Sequence, residues 1–143
     1  MRRNLTPAQL GDLLDLPINA VLARHRADGS VLQTPVCHRW TGTGFTFYIP
    51  AGDRKISVLQ RDPRISLIVG ESAHPFRAIQ VEGRAALHVD GFRDVARRIA
   101  GRYVAAHDPG AAVDDYIGAD DGVWVELRAV RTRAWDYADA EYT

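Results

Sequence analysis

The sequence is poor in cysteine, in lysine and in long apolar runs, and neither sign of charge is in excess. Its single cysteine, Cys37, excludes an intramolecular disulfide and favours a reducing compartment. Eighteen Lys and Arg balance eighteen Asp and Glu, so no overall field attracts nucleic acid or anionic lipid. The longest apolar runs are too short to span a bilayer, and no apolar stretch of signal-peptide length follows the basic start. We therefore expect a cytoplasmic protein with no nucleic-acid and no membrane partner.

Motifs for metal binding and for covalent catalysis are also absent from the sequence. The five histidines are scattered, and no two have the spacing of metal ligands. No arrangement of Ser, His and Asp matches the nucleophile elbow of hydrolases. The sequence therefore predicts no metal site, and it assigns no catalytic side chain.

The first half of the sequence predicts a short helix and three strands. Of the 143 residues, 46% are hydrophobic and 25% charged, which suits one globular domain over residues 1–143. "LTPAQLGDLLDLP" predicts an opening helix with Thr6 as its N-cap and an apolar stripe of leucines. The turns "ADGS" and "TGTG" separate three extended runs, the last of which is "FTFYIP". Strands joined by such short turns pair in antiparallel fashion.

The second half predicts further strands and two more helices. "DRKISVLQR" predicts a helix with Asp53 as its N-cap, and "DGFRDVARRIAGRYVAAH" predicts a longer one. "RISLIVG" and "FRAIQVEGRAALHV" predict strands, with Gly83 at a bulge or bend, and "VWVELRAVRTRAWDY" predicts one long or two short closing strands. The expected fold is mainly β, a small barrel of six to seven mostly antiparallel strands with flanking helices.

Two adjacent cations, Arg54 and Lys55, stand where the first of these helices begins. The start of a helix disfavours cations by about 0.3–1 kcal/mol, but it favours an anionic ligand. Arginine offers phosphate or carboxylate a bidentate fork, and lysine offers a mobile point charge. One interpretation is that this pair binds an anionic group of a ligand that lies along "FTFYIP". The other is that both residues are solvated surface charges.

Several consecutive motifs resemble those of one known superfamily. "GFTFYIPAGDRKISVLQRDPRISLIV" followed by "FRAIQVEGRAAL" is similar to the pyridoxamine 5′-phosphate oxidase-like superfamily, the flavin/deazaflavin oxidoreductases. The similarity extends over roughly residues 18–89, and "VELRAVRTRAWDY" resembles the last strands of that family. The resemblance implies a split β-barrel of the FMN-binding-protein type. It also implies a homodimer that binds FMN or the deazaflavin coenzyme factor 420 at the subunit interface.

The resemblance further implies which residues bind the cofactor. Arg54 and Lys55 match a basic pair that holds its phosphate. The ring is expected against two strands and beside the start of a third, which adds the residues Pro35, Val36, Cys37, His38, Tyr48, Ile49, Pro50 and Arg77. Cys37 is more typical of a packed thiol than of a redox thiol. His38 is expected at the surface, with an orientation toward the coenzyme as the alternative.

Four positions depart from the pattern of the FMN-dependent oxidases. Gln33 and His38 stand where those enzymes have Arg and Lys, and Ala78 replaces a glutamine that contacts the ring. Asp53 replaces the Ser or Thr often found before the basic pair, and its charge would repel phosphate. These departures count against pyridoxamine phosphate as the substrate.

The expected function is therefore that of an oxidoreductase. Reduced deazaflavin or FMN would transfer hydride to a small unsaturated or conjugated substrate, with the cofactor rather than a side chain carrying the chemistry. Two alternatives remain open at this stage. One is an FMN-dependent enzyme of the pyridoxamine-phosphate oxidase type. The other is a non-catalytic carrier of a flavin, deazaflavin or haem-like ligand.

Overall fold

The computed structural model describes residues 1–140, which form one seven-stranded sheet with three α-helices. The strands are β1 (Ala20–His25), β2 (Val31–Val36), β3 (His38–Trp40), β4 (Phe45–Ile49), β5 (Arg64–Gly70), β6 (Ala78–His88) and β7 (Val123–Trp135). The helices are α1 (Lys55–Arg61), α2 (Phe92–His107) and α3 (Val113–Ile117). Within residues 1–140, no helix is both long enough and apolar enough to cross a membrane.

The strand order is β2-β1-β5-β6-β7-β4-β3, and every pair of named strands is antiparallel. The sequence predicted one extended run from the "ADGS" turn to Trp40. That run is instead two strands, because the chain leaves β2 at one edge of the sheet and enters β3 at the other edge. Only Cys37 separates the two strands. The sheet is therefore curled until its edges meet, which confirms the predicted split β-barrel.

The interior of the barrel is filled by alternate strand residues. Phe45, Phe47 and Ile49 of β4 are buried there in one cluster with Leu22 of β1 and Leu67 of β5. A second, smaller cluster lies outside the barrel, where α2 packs Phe92, Ala96 and Ala100 against partly buried Tyr48 and Trp124. α2 thus covers one outer face of the sheet, as its predicted amphipathic pattern requires.

The predicted opening helix is wrong in detail. Two short 3₁₀ helices, Pro7–Leu10 and Leu13–Asp15, replace it, because the chain turns at Gly11 with a φ of 63°. The predicted N-cap is confirmed, since Thr6 and Gln9 form a reciprocal capping box. The leucines of the predicted stripe are buried in the core nonetheless: Leu10, Leu13 and Leu14.

Gly83 lies at the predicted bulge. Glu82 pairs with Arg131 and Gly83 pairs with Ala129, so Val130 of β7 is the extra residue. A Cβ atom at position 83 would lie 2.0 Å from the carbonyl oxygen of Arg128. Only glycine lets the two strands approach so closely at this bend.

We expect Gly83→Ala to lower the free energy of unfolding by about 1–3 kcal/mol, the usual cost of overpacking a dense site. Gly101→Ala is the matched control, because a Cβ atom at this position in α2 meets no atom within 4 Å. Removing a glycine from a helix interior should raise stability by about 0.5–1 kcal/mol. Urea denaturation measures both, and equal stability of the two variants would contradict the role assigned to Gly83.

Candidate functional site

The turn before α1 carries two cations, of which Lys55 forms an ion pair and Arg54 does not. Arg54 is exposed, and its guanidinium makes no hydrogen bond or ion pair with the described residues 1–140. Lys55 is half-buried, and its Nζ lies 3.0 Å from Oδ2 of Asp53. The two members of the predicted anion-binding pair therefore differ in what they offer a ligand.

The negative charge of Asp53 is offset by its neighbour Lys55. Its Oδ1 accepts a hydrogen bond from the Lys55 backbone N–H at 2.8 Å, and its backbone oxygen accepts one from Ile56 at 3.2 Å. Burial alone raises the pKa of the Asp53 carboxyl, but the Lys55 amide and ammonium outweigh it and the net pKa is lowered. The start of this helix therefore does not offer an anion the amides of Lys55 and Ile56, because both are already paired within the turn.

Arg24 on β1 is a candidate that sequence reasoning missed. Its Nε is buried without a hydrogen-bond partner in the described residues, and its charge contributes to the low pKa of Asp53. Thr34 on β2, whose Oγ1 is buried and equally unpartnered, faces the same side of the β1–β2 ladder. A signal was present in the sequence, since Arg24 follows Leu22 by two residues and so occupies a core-facing strand position.

The predicted ring-binding residues of β2 lie at the sheet edge. Pro35 is exposed, Val36 is half-buried, and Cys37 links β2 to β3. The Cys37 Sγ lies 3.8 Å from Oδ1 of Asn19, and burial raises the pKa of its thiol. A thiol of raised pKa is a poor nucleophile at neutral pH. This environment fits the packed thiol that the sequence favoured over a redox thiol.

His38 is fully buried, so the expectation of a surface histidine is wrong. Its ring packs edge-on against Phe45, and its Nε2 lies 3.1 Å from the backbone oxygen of Ile18. Burial, and secondarily the charge of Arg102, lowers the pKa of His38 to about 4. The imidazole is therefore neutral near pH 7, with Nε2 donating to Ile18. Its Nδ1 has no partner among the described residues.

Residues of α2 hold the backbone around His38 in place. The Arg102 guanidinium donates to the carbonyl oxygens of His38, Leu14 and Leu16, the last at 3.0 Å. The Tyr103 hydroxyl accepts from the His38 N–H at 3.1 Å and donates to the Ile18 oxygen at 2.8 Å. These bonds tie the β2–β3 junction to the chain that precedes β1.

The end of β4 lies beside this junction, because β3 and β4 pair His38 with Phe47. Tyr48 is half-buried, and its hydroxyl donates to the Tyr116 oxygen at 3.2 Å. Burial raises the pKa of the Tyr48 hydroxyl to about 12. Ile49 is fully buried and Pro50 is half-buried. The two strands that the resemblance assigns to the cofactor ring are thus adjacent at this end.

Arg77 makes its hydrogen bonds elsewhere. Its guanidinium forms a bidentate pair with Glu71, at 2.5 and 2.9 Å, and donates to Asp12 at 2.6 Å and to the Leu10 oxygen at 2.8 Å. Hydrogen bonds to Glu71 and Asp12 raise the pKa of Arg77 above its ordinary value. Its side chain ties the N-terminal segment to the start of β6. A contact of Arg77 with a cofactor stays a prediction.

Comparison with known proteins relates most of the described chain to one family. The family model described as pyridoxamine 5′-phosphate oxidase matches residues 7–136. No curated protein matches the sequence significantly.

Several solved structures share this fold, among them one named F420 reductase and one described as FAD-binding. A conserved hypothetical protein from Mycobacterium tuberculosis superposes with a TM-score of 0.76 at 20% identity, over 97% of this chain and 91% of that one. A protein named F420 reductase superposes with a TM-score of 0.70 at 22% identity, over 85% of this chain and 93% of that one. An FAD-binding protein from Mesorhizobium loti gives a TM-score of 0.65 at 19% identity, over 93% and 95%. At these identities the likeness concerns the fold.

The buried neutral His38 predicts a pH-dependent stability. Its pKa is about 4 when folded and about 6.5 when unfolded, so the unfolded chain binds more protons between these values. Stability should be fully present above pH 6.5 and fall as the pH drops toward 4, by on the order of 1 kcal/mol per pH unit.

Urea denaturation of the wild type and of His38→Gln between pH 4.5 and 7.5 measures this effect. Gln can still donate to the Ile18 oxygen, and the other histidines remain in both proteins. The variant should show a shallower pH dependence over this range. Parallel profiles would show that His38 does not titrate as described.

Proposed function

This chain belongs to the pyridoxamine 5′-phosphate oxidase family, and from that premise we propose that it is a cytoplasmic oxidoreductase that uses a deazaflavin or FMN. The acceptor in this proposal is a small unsaturated or conjugated molecule. The observation that carries the proposal is the turn before α1, where Arg54 extends an unpaired guanidinium. Structures named F420 reductase and FAD-binding protein, which share the fold, support a cofactor of this class.

The donors at this turn fit a phosphate group. Arg54 and Arg24 have guanidinium groups without partners in the described residues, and Lys55 adds an ammonium shared with Asp53. The repulsion expected from Asp53 is offset, because both the Lys55 amide and its ammonium bind that carboxylate. Two arginine charges therefore remain for an anion. Charge-assisted bonds from such groups are the stronger kind of hydrogen bond.

The ring in this proposal lies near Pro35, Cys37 and Tyr48. A bound flavin or deazaflavin supplies the hydride-transfer chemistry itself. The chain's own residues orient it: Arg102 and Tyr103 bind the backbone of His38, next to Cys37, and the Tyr116 oxygen accepts a hydrogen bond from Tyr48. Near pH 7, His38 is neutral and Cys37 is protonated, so neither side chain is suited to act as a general acid or base.

A second copy of the chain completes the site in this proposal. Val21 of β1 is 36% exposed and lies opposite exposed Pro35 of β2. Val31 at the far end of β2 is 52% exposed. The apolar pair Val21 and Pro35 lies beside the expected ring position and is suited to a subunit contact. Homodimers with an interfacial cofactor are what the family resemblance implies.

Arg54→Gln should weaken FMN binding about 10-fold or more, because a hydrogen bond to a charged group contributes about 1.5–3 kcal/mol. Binding of riboflavin, which lacks the phosphate, should not change. Arg61→Gln, at the other end of the same short helix, removes the same charge and serves as the control. Calorimetric or fluorescence titration with FMN, riboflavin and the deazaflavin coenzyme measures these affinities and identifies the preferred cofactor.

Three outcomes would contradict the proposal in different ways. Absence of binding by any of these cofactors would refute the cofactor class. An equal loss in Arg54→Gln and Arg61→Gln would refute the phosphate position. Tight binding without turnover of any acceptor by the reduced cofactor would instead indicate a carrier.

Arg24→Gln should also weaken FMN binding about 10-fold and leave riboflavin binding unchanged, by the same physical argument. Unchanged FMN affinity in Arg24→Gln would make Arg24 a structural residue.

Lys55 is the only lysine in the sequence, so acetylation of lysine side chains reports this turn alone. FMN should protect Lys55 from acetic anhydride, as followed by mass spectrometry.

A further inference from the structure

A cavity of about 520 Å³ lies away from the turn before α1. Its walls are the β3–β4 turn, the first half of β7, and Val95 and Arg98 of α2. The cavity contacts β4 at Phe45 and Thr46, where that strand begins, whereas α1 follows the strand's other end. We call this cavity the arginine recess.

One row of paired strand residues runs across the recess. Arg39 of β3 is opposite Thr46 of β4, and Thr46 is opposite Glu126 of β7. Directly opposed residues on neighbouring strands share a face of the sheet. Thr46 is only 9% exposed, so a guanidinium and a carboxylate flank a nearly buried threonine.

Two more arginines complete the lining. Arg98 reaches it from α2, and Arg128 reaches it from β7. The Nε of Arg128 lies 3.1 Å from Oε1 of Glu126, so this pair is neutral as a unit. Glu126 is the only carboxylate that lines the recess. Arg39 and Arg98 have no hydrogen-bond or ion-pair partner for their guanidinium groups in the described residues 1–140.

The remaining charge of the recess is therefore two unpaired guanidinium groups on different walls. An arginine fork matches one carboxylate bidentately, and two forks on separate walls match two separated carboxylates better than one compact anion. The volume also lies within the range of about 300–1,000 Å³ that is usual for small-molecule sites. We propose that the arginine recess binds a small organic dicarboxylate, with one carboxylate at Arg39 and the other at Arg98.

Glu126 should have the opposite effect on dicarboxylate affinity from the two unpaired arginines. Its carboxylate repels an incoming dianion and engages Arg128. Replacing it with glutamine removes the repulsion and releases a third guanidinium. Affinity for a dicarboxylate should therefore increase when this acidic residue is lost.

The test uses the purified full chain without added flavin, so it is independent of the proposed oxidoreductase function. Glutarate is the probe, pentanoate is the monocarboxylate of equal chain length, and inorganic phosphate is the compact anion. Calorimetry or NMR titration should show glutarate binding at least 10-fold more tightly than either of the others.

Variants then locate the binding. Arg39→Gln and Arg98→Gln should each reduce glutarate affinity about 10-fold, and Glu126→Gln should increase it several-fold. Arg26→Gln, in the exposed β1–β2 turn, and Glu82→Gln, on β6, change the net charge equally outside the recess and should have no effect. Arg98 is exposed on α2, so its variant remains informative if Arg39→Gln fails to fold.

The proposal is overturned if glutarate binds no more tightly than pentanoate, or if phosphate competes equally well. It is also overturned if Arg26→Gln weakens glutarate binding as much as Arg98→Gln, since that result indicates non-specific attraction. Failure of flavin to bind in the separate titrations would leave this outcome unaffected.

Discussion

Closure of the sheet at Cys37 is the constraint on which the rest of the structure depends. β2 and β3 are consecutive in the chain yet lie at opposite edges of the sheet. A connection of one residue between two edges is possible only if the sheet curls until they meet. Arg102 and Tyr103 secure this junction by binding the His38 backbone. As a result, the junction and the end of β4 lie side by side, where the family resemblance expects the cofactor ring.

The arginines of this chain serve two different purposes. Some tie elements together through carboxylates or backbone oxygens: Arg2, Arg77, Arg93, Arg97 and Arg102. Others have guanidinium groups without partners in residues 1–140: Arg54 at the turn before α1, Arg24 on β1 with its charge acting on Asp53 of that turn, and Arg39 and Arg98 in the arginine recess. The second group carries the proposals, because an unpaired guanidinium is available to a ligand whereas a paired one is already engaged.

Much of the fold could be predicted because strand alternation and turn residues are local signals. The hairpin turns, the bulge at Gly83 and the amphipathic α2 all follow from neighbouring residues. Less of the candidate site could be predicted. Arg54 and Lys55 look alike in sequence, yet Asp53 binds Lys55. The Arg54 guanidinium has no hydrogen-bond or ion-pair partner in the described residues. Arg24 is distant in sequence from that turn, so only the folded chain brings its charge near Asp53.

By itself, the sequence determined the class of fold, the family and the turn that holds Arg54 and Lys55, since each of these depends on residues close together in the chain. The tertiary structure alone decided that the run from β2 to Trp40 divides at Cys37 and that His38 points into the core. It also decided which arginines are paired. These features depend on contacts between residues far apart in sequence, such as Arg102 with Leu14 and Thr46 with Glu126. No local pattern reports such contacts, because they form only when the sheet has closed.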